Sequence, residues 1–284
     1  MFGAKLFNPY STTDFSGSQV ELITPAFETI EETYQFLCAL YDMTALEIGE
    51  EYLRPQSMPC NIPEDRQITI ADFCKCPPGQ KAYAYRRELL AKYGGKRQLV
   101  SGIHYNFSFN EEFIEKLYKI DNQNKDYKMF KDEMYLKVAR NYLRYRWLLI
   151  YLLGSTSVIH ESYIEECVKQ LKEVAKESYT NKIELFPNYQ SIDGYTKSLE
   201  KFVTDRLIAS PKELYSQIRL KAYDNEYLLD SLRKDGIAYL EYRSIDINPF
   251  DKAGIKLEDL YFMYLFNLFL LLKEGQLISK EDWA

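Results

Sequence analysis

Residues 101–109, Ser-Gly-Ile-His-Tyr-Asn-Phe-Ser-Phe, constrain the fold more than any other stretch. Polar and apolar residues alternate through it, so an extended strand sets His104, Asn106 and Ser108 on one face and Ile103, Tyr105, Phe107 and Phe109 on the other. Residues 238–246 keep a similar period and put Glu241 and Arg243 on one side. If both strands share a sheet, an imidazole, a carboxylate and a guanidinium converge on its polar face.

The chain has 284 residues, 46% apolar and 15% aromatic, ample material for a core. A net charge of −6 and a pI near 5.3 argue against nucleic acid or an anionic membrane surface as a partner, because both call for a basic surplus. Residues 1–10 carry no basic region followed by an apolar run, so no secretory signal is expected. The five cysteines, Cys38, Cys60, Cys74, Cys76 and Cys167, are scattered and odd in number, which fits a reducing cytoplasm better than a disulfide framework. The apolar runs 147–153 and 260–272 fall short of the roughly 20 residues that cross a bilayer and read as buried helices.

Residues 11–19 are rich in turn and capping types, and 20–24 read as a short strand stopped by Pro25. Helical spacing of apolar residues predicts helices over 29–52, 81–93, 110–117, 127–153, 161–176, 194–209 and 257–278. The aromatic and aliphatic positions of 127–153 nearly surround its C-terminal end, which predicts deep burial there. Residues 215–221 read as a strand with Tyr215, Gln217, Arg219 and Lys221 on one side. No internal repeat or low-complexity linker is visible, so a single α+β domain over residues 1–284 is the simplest expectation.

Asp14, Glu21, His104 and Glu241 stand at strand or turn positions, and carboxylates with at most one imidazole suit magnesium or manganese better than zinc. Each of the four fits equally as a solvated or capping residue, since nothing local forces them together. Arg86, Arg219, Lys221 and Arg243 are able to hold phosphate oxygens, and they also fit ordinary surface charge or internal ion pairs. His160 precedes a glutamate-rich helix and reads as a surface or capping residue. Cys74 and Cys76 lack partners at zinc spacing, and no glycine-rich phosphate loop is present.

Taken in order, Thr-Thr-Asp14-Phe15, Glu21-Leu-Ile-Thr-Pro, Ser57-Met-Pro-Cys60, Tyr85-Arg86, Ser101-Gly-Ile-His104-Tyr-Asn-Phe-Ser and Glu241-Tyr-Arg243-Ser-Ile-Asp-Ile-Asn-Pro249-Phe250 resemble bacterial glutamate–cysteine ligase. The likeness is greatest to the ligase half of the two-function glutathione-synthesis proteins, and it runs from about Asn8 to the last helix. The resemblance implies a glutamine-synthetase-like fold, an antiparallel sheet curved into a half-barrel with helices outside. It implies ATP- and Mg2+- (or Mn2+-) dependent joining of the glutamate γ-carboxyl to the cysteine amine through an acyl phosphate. It places metal ligands on Asp14, Glu21, His104 and Glu241, and a catalytic role facing the transferring phosphoryl group on Arg243. Arg86 is expected to be catalytic as well, near developing charge, and Arg219 and Lys221 to bind the nucleotide phosphates. Phe15, Tyr85, Leu89, Gln98, Tyr179 and Tyr215 surround the cysteine substrate.

Three departures from that pattern stand out. An earlier strand with a Glu-x-Glu pair of metal ligands has no counterpart before Asp14. Glu177-Ser-Tyr179-Thr-Asn181 stands where the family has an arginine and Gly-Tyr-x-Asn, as though a dozen or so residues were deleted. This sequence stops at Ala284, so neither the further ligase segment nor the second, ATP-grasp ligase that the two-function proteins append is expected within it. Two readings follow: a working or formerly working ligase, with or without another polypeptide supplying the missing strand, or a non-catalytic remnant that keeps the fold and some affinity for nucleotide or amino acid.

Overall fold

Residues 8–121, 125–155 and 185–275 are described by the computed structural model, and they group into two units. One falls within Met1–Gly102, Ser155–Val174 and Asp246–Tyr261, the other within Ile103–Gly154, Ala175–Ile245 and Phe262–Ala284.

In the first unit, β1 (Ser11–Thr13) pairs antiparallel with β2 (Val20–Leu22), and Thr12 lies opposite Glu21. The sequence reading had only turn and cap over 11–19. The two threonines are β-branched and seat well in the ladder, which outweighs their capping tendency here. The Asp14 N–H closes the hairpin on the Gln19 carbonyl at 3.1 Å. Helix α1 (Ile30–Glu47) is capped by Thr29, whose hydroxyl oxygen accepts the Glu32 N–H. Helix α2 (Pro77–Tyr93) begins earlier than the spacing predicts, because prolines without an N–H are at home in a first turn. It stops at Gly94, whose φ of +82° only glycine adopts cheaply. A short helix α3 (Gly95–Gln98) follows, with the N–H groups of Gly95 and Lys96 both donating to Asp65 Oδ1. Cys74 and Cys76 are joined as a disulfide across a single residue, a bridge the scattered cysteines did not lead one to expect; Cys38 and Cys60 are free.

The second unit is built on a three-stranded antiparallel sheet. Its strands are β3 (Ile103–Phe107), β4 (Ile218–Lys221) and β5 (Tyr239–Ile245), in the order β3-β5-β4. Asn106 pairs with Glu241 on one side, and Arg219 pairs with Glu241 on the other. Helices α4 (Glu111–Ile120), α5 (Tyr127–Leu153), α6 (Ile192–Thr204) and α7 (Leu228–Asp235) accompany it. The α7 helix was not foreseen. A last helix, α8 (Leu257–Leu272), begins in the first unit and continues in the second from Phe262.

Alternation decides which sheet face is core. Ile218, Leu220, Leu240 and Tyr242 are fully buried, and α5, which packs on β5, buries Tyr135, Val138, Ala139 and Tyr142 as completely. Tyr142 meets Tyr242 edge-on at 4.9 Å and donates to the Ser244 hydroxyl at 2.8 Å. The Tyr242 hydroxyl donates to Asn267, so this fully buried ring has its polar end satisfied. Burying each such side chain contributes about 2 kcal/mol. Asp132, buried on α5, accepts the Ile237 N–H at 2.7 Å and pairs with Lys128 at 2.9 Å, which ties α5 to the start of β5.

The C-terminal end of α5 departs from expectation. Trp147 is 60% exposed and Tyr151 80%, because the helix buries one stripe through Tyr135, Tyr142 and Leu149, and these two rings lie off it. Among the described residues no helix is long and apolar enough to cross a membrane. The α+β class and the antiparallel pairing are as the sequence implied, in open sheets of two and three strands. The helix expected over 161–176, with His160, Cys167 and Tyr179, lies outside the described residues.

Candidate functional site

The face of the second unit's sheet that turns away from α5 carries the charge. Glu241 is 7% exposed, and three cations surround it: Arg243 at 3.4 Å, Lys221 at 3.5 Å and Arg219 at 3.6 Å. Each position follows from the pleat. Arg219 and Lys221 alternate with buried Ile218 and Leu220, Arg243 follows Glu241 by two, and the antiparallel register sets the Arg219 row beside Glu241. Burial by itself would raise the Glu241 carboxyl, but Arg243, Arg219 and Lys221 outweigh it and hold the group below the usual carboxylate range. Burial, and then Arg243, lower the Arg219 guanidinium to about 10. Burial also lowers Lys221, against the pull of Glu241. Three cations and one carboxylate leave this face with a surplus of positive charge, chemistry that suits a polyanion.

His104 and Asn106 project from β3 on its solvent-reached side, as alternation predicts. Although solvent still touches the His104 ring, crowding by protein atoms and then the Arg243 guanidinium depress it to about 3. It is therefore a neutral imidazole at pH 7, the form that binds a metal ion or accepts a hydrogen bond. Tyr215 precedes β4 on the same side as Arg219 and is half-buried.

In the first unit, Asp14 and Glu21 sit on the β1–β2 hairpin, Asp14 exposed at its tip and Glu21 half-buried on β2. The tip is fixed by Gln19, whose carboxamide oxygen accepts the Ser16 N–H and whose Nε2 donates to the Gln98 carbonyl and the Ser101 hydroxyl. Arg86, on α2, donates through Nε to the Asp14 carbonyl at 2.5 Å, through Nη2 to Thr13 at 3.0 Å and through Nη1 to Ala82 at 3.2 Å. Its guanidinium lies 4.8 Å from the centre of the Phe73 ring. Burial lowers its pKa, opposed by Asp14, Glu21 and Tyr85. Arg86 thus clamps the end of β1 and the hairpin tip that carries Asp14. Phe15 and Leu89 are buried, Gln98 is half-buried and Tyr85 is 37% exposed.

The sequence-derived set is therefore divided. Asp14, Glu21, Arg86, Phe15, Tyr85, Leu89 and Gln98 belong to the first unit, and His104, Arg219, Lys221, Glu241, Arg243 and Tyr215 to the second. Within neither unit do three or more His, Cys, Asp and Glu side chains among the described residues come together as a metal-binding group. The sequence did not single out the Gln19 lock, whose signal is only a glutamine after a Ser-Gly-Ser turn, nor the three backbone bonds of Arg86, which have no signal in sequence.

Comparison with known proteins gives a consistent picture. The glutamate-cysteine ligase family profile matches residues 1–185 and 181–284, two segments that meet at 181–185. The glutathione biosynthesis bifunctional protein of Clostridium perfringens is 42% identical over 298 residues, covering 99% of this chain and 38% of that protein. The alignment is longer than this chain's 284 residues, so the relative carries residues with no counterpart here. The Listeria innocua protein of the same name is 40% identical over 97% of this chain and 38% of its own length. Among solved structures, the bifunctional glutathione synthetase of Pasteurella multocida superposes with a TM-score of 0.87 at 33% identity, over 99% of this chain and 37% of that one. Glutamate–cysteine ligase from Francisella tularensis, solved in complex with AMP, superposes at 0.86 and 25% identity, over 99% of this chain and 63% of that one.

Proposed function

The chain belongs to the glutamate–cysteine ligase family, and from that premise we propose that it acts in glutathione biosynthesis as an ATP- and magnesium-dependent ligase, joining the γ-carboxyl of glutamate to the amine of cysteine. The observation that carries this reading is the buried, ionised Glu241 ringed by Arg219, Lys221 and Arg243 beside a neutral His104. The AMP held by the Francisella relative supports an adenine nucleotide as the polyanion.

The chemistry asks for charge management. A carboxylate attacks the terminal phosphorus of ATP, the P–O bond to ADP breaks, and an acyl phosphate results; the amine then forms the amide and displaces phosphate. Arg243 stabilises charge on the transferring phosphoryl oxygens, and Arg219 and Lys221 hold the remaining phosphates. Glu241 keeps the three cations apart and oriented before the nucleotide arrives.

The family resemblance makes Asp14 and Glu21 of the first unit and His104 and Glu241 of the second the candidate metal ligands, and carboxylates with one imidazole are donors that suit Mg2+ or Mn2+. A divalent cation bound there supplies charge neutralisation between polyphosphate and carboxylate. Glu241 faces three cations, so a bound polyphosphate would share Arg219, Lys221 and Arg243 with it. Arg86 contributes indirectly, by pinning the backbone of Thr13 and Asp14. For the cysteine substrate the resemblance names Phe15, Tyr85, Leu89 and Gln98 in the first unit and Tyr215 in the second, with Tyr179 outside the described residues.

A second reading, nucleotide and amino-acid binding without turnover, draws on the break in the family match at 181–185. One assay separates the two. The ligase reading expects γ-glutamylcysteine formation that requires ATP, magnesium and glutamate together. Binding of ATP without product above background at high magnesium overturns it in favour of the second.

A further inference from the structure

Strand β4 and the residues leading into it present one row of partly exposed side chains, Tyr215, Gln217, Arg219 and Lys221, alternating with buried Leu214, Ser216, Ile218 and Leu220. Two atoms in that row stand out. The carboxamide oxygen of Gln217 is sealed from solvent and meets no donor, and Nε of Arg219 is sealed and meets no acceptor. The other nitrogens of Arg219 are engaged: Nη2 donates to the Leu214 carbonyl, and Nη1 faces Glu241 at 3.6 Å.

The position of Gln217 is fixed by the sheet. The Arg243 N–H donates to the Gln217 carbonyl at 2.9 Å, which continues the register Arg219 to Glu241 and Ile218 to Tyr242 by one residue. Residues directly opposite in an antiparallel pair have Cβ atoms about 5 Å apart. The Gln217 side chain therefore leaves its strand opposite Arg243 and between Tyr215 and Arg219.

A buried acceptor without a donor costs free energy that packing does not return, whereas a ligand N–H recovers it. We propose that Gln217 is a substrate-orienting residue whose carboxamide oxygen accepts a hydrogen bond from the amine of the acceptor amino acid. The proposal rests on the ligase reading and deepens it. In that reaction the ammonium first loses a proton to solvent, and the nitrogen lone pair forms the C–N bond at the acyl carbon. The C–O bond to phosphate breaks, phosphate leaves with the electron pair, and a second proton leaves the nitrogen. An acceptor opposite Arg243 holds that nitrogen next to the leaving phosphate. The spare Nε–H of Arg219 offers a donor to an oxygen of the same assembly.

Isothermal titration of the full chain, with saturating magnesium and the non-hydrolysable nucleotide AMP-PNP, tests this with two probes. L-cysteine carries the amine; 3-mercaptopropionate has the same thiol and carboxylate without it. Wild type is expected to favour cysteine by about tenfold, the value of one such hydrogen bond. Gln217→Leu is expected to erase that preference by weakening cysteine alone, and Gln217→Glu, which keeps an acceptor, to hold cysteine within about threefold of wild type. Gln217→Ser repeats the test if the leucine variant does not fold. A preference that survives Gln217→Leu, an equal loss for both probes, or a wild type that binds neither probe overturns the proposal. If AMP-PNP binds the wild type while the probes are not distinguished, only the Gln217 assignment falls; if no nucleotide binds, the ligase reading falls with it.

Discussion

The two units hold their acidic groups by opposite means. In the second, Glu241 is buried on the central strand of a sheet and fixed side chain to side chain by three cations, with α5 packed behind. In the first, Asp14 is exposed on a hairpin tip, and the order around it comes from bonds to backbone: Arg86 to the Thr13 and Asp14 carbonyls, Gln19 to Ser16 and Gln98. Side-chain ion pairs dominate around Glu241, whereas around Asp14 bonds to the main chain are joined by its attraction for the Arg86 guanidinium. Salt and charge-changing substitutions should therefore act on the second unit, whereas loss of a clamp should act on the first.

The strongest way to break this contrast is Glu241→Gln. Removing the anion leaves three cations facing one another, and the expected cost is about 3 kcal/mol of stability. ATP titrated with and without magnesium is the sharper readout. The magnesium-dependent part of binding should disappear while metal-free ATP binds at least as tightly as in wild type. Equal loss in both conditions would remove Glu241 from the metal set.

Gly236→Ala probes the frame rather than the charge. At φ +86° a Cβ is strained, and it would meet Asp132 Oδ1 at 2.5 Å, so a loss of about 3 kcal/mol is expected in urea unfolding. A variant as stable as wild type would show that the α5–β5 tie is slack.

Acid should distinguish the units next. The folded pKa of His104 lies below its ordinary value of 6.5, at about 3, so the unfolded chain takes up a proton first as pH falls. Stability then declines from about pH 6.5 towards 3, and His104→Gln should flatten that slope between pH 7 and 5. The depressed Glu241 carboxyl acts in the same direction at lower pH: its contribution is present above the ordinary carboxylate range and is lost as pH falls through its folded value.

The smallest effect is expected of Arg86→Ala. Hydrogen exchange at the Asp14 amide, which bonds Gln19, should quicken about tenfold while amides of β5 keep their protection. Uniform quickening across both units would mean that the clamp is global.

What the sequence revealed follows the same division. Strand period alone located the charged face, because burial of Ile218, Leu220, Leu240 and Tyr242 leaves Arg219, Lys221 and Glu241 no other side to occupy. The bounds of α5, Tyr127 to Leu153, were readable from apolar spacing and Gly154. Its exposed end was not, since a periodic pattern states which residues are apolar and not what lies against Trp147 or Tyr151. Ser-Thr-Thr before Asp14 passed for a turn because three residues are too few to display alternation. Arg86 was legible as a cation but not as a clamp, for its acceptors are main-chain oxygens that every residue owns.

The order β3-β5-β4 has a consequence for biosynthesis. The middle strand of that sheet is the last of the three to leave the ribosome, so β3 and β4 have no shared neighbour until Tyr239–Ile245 is made. Closing the long loop from β3 to β5 costs chain entropy before any pairing returns it, which makes this step slow. A nascent chain arrested short of Tyr239 carries open strand edges, the form in which a growing polypeptide is most exposed to pairing with a neighbour.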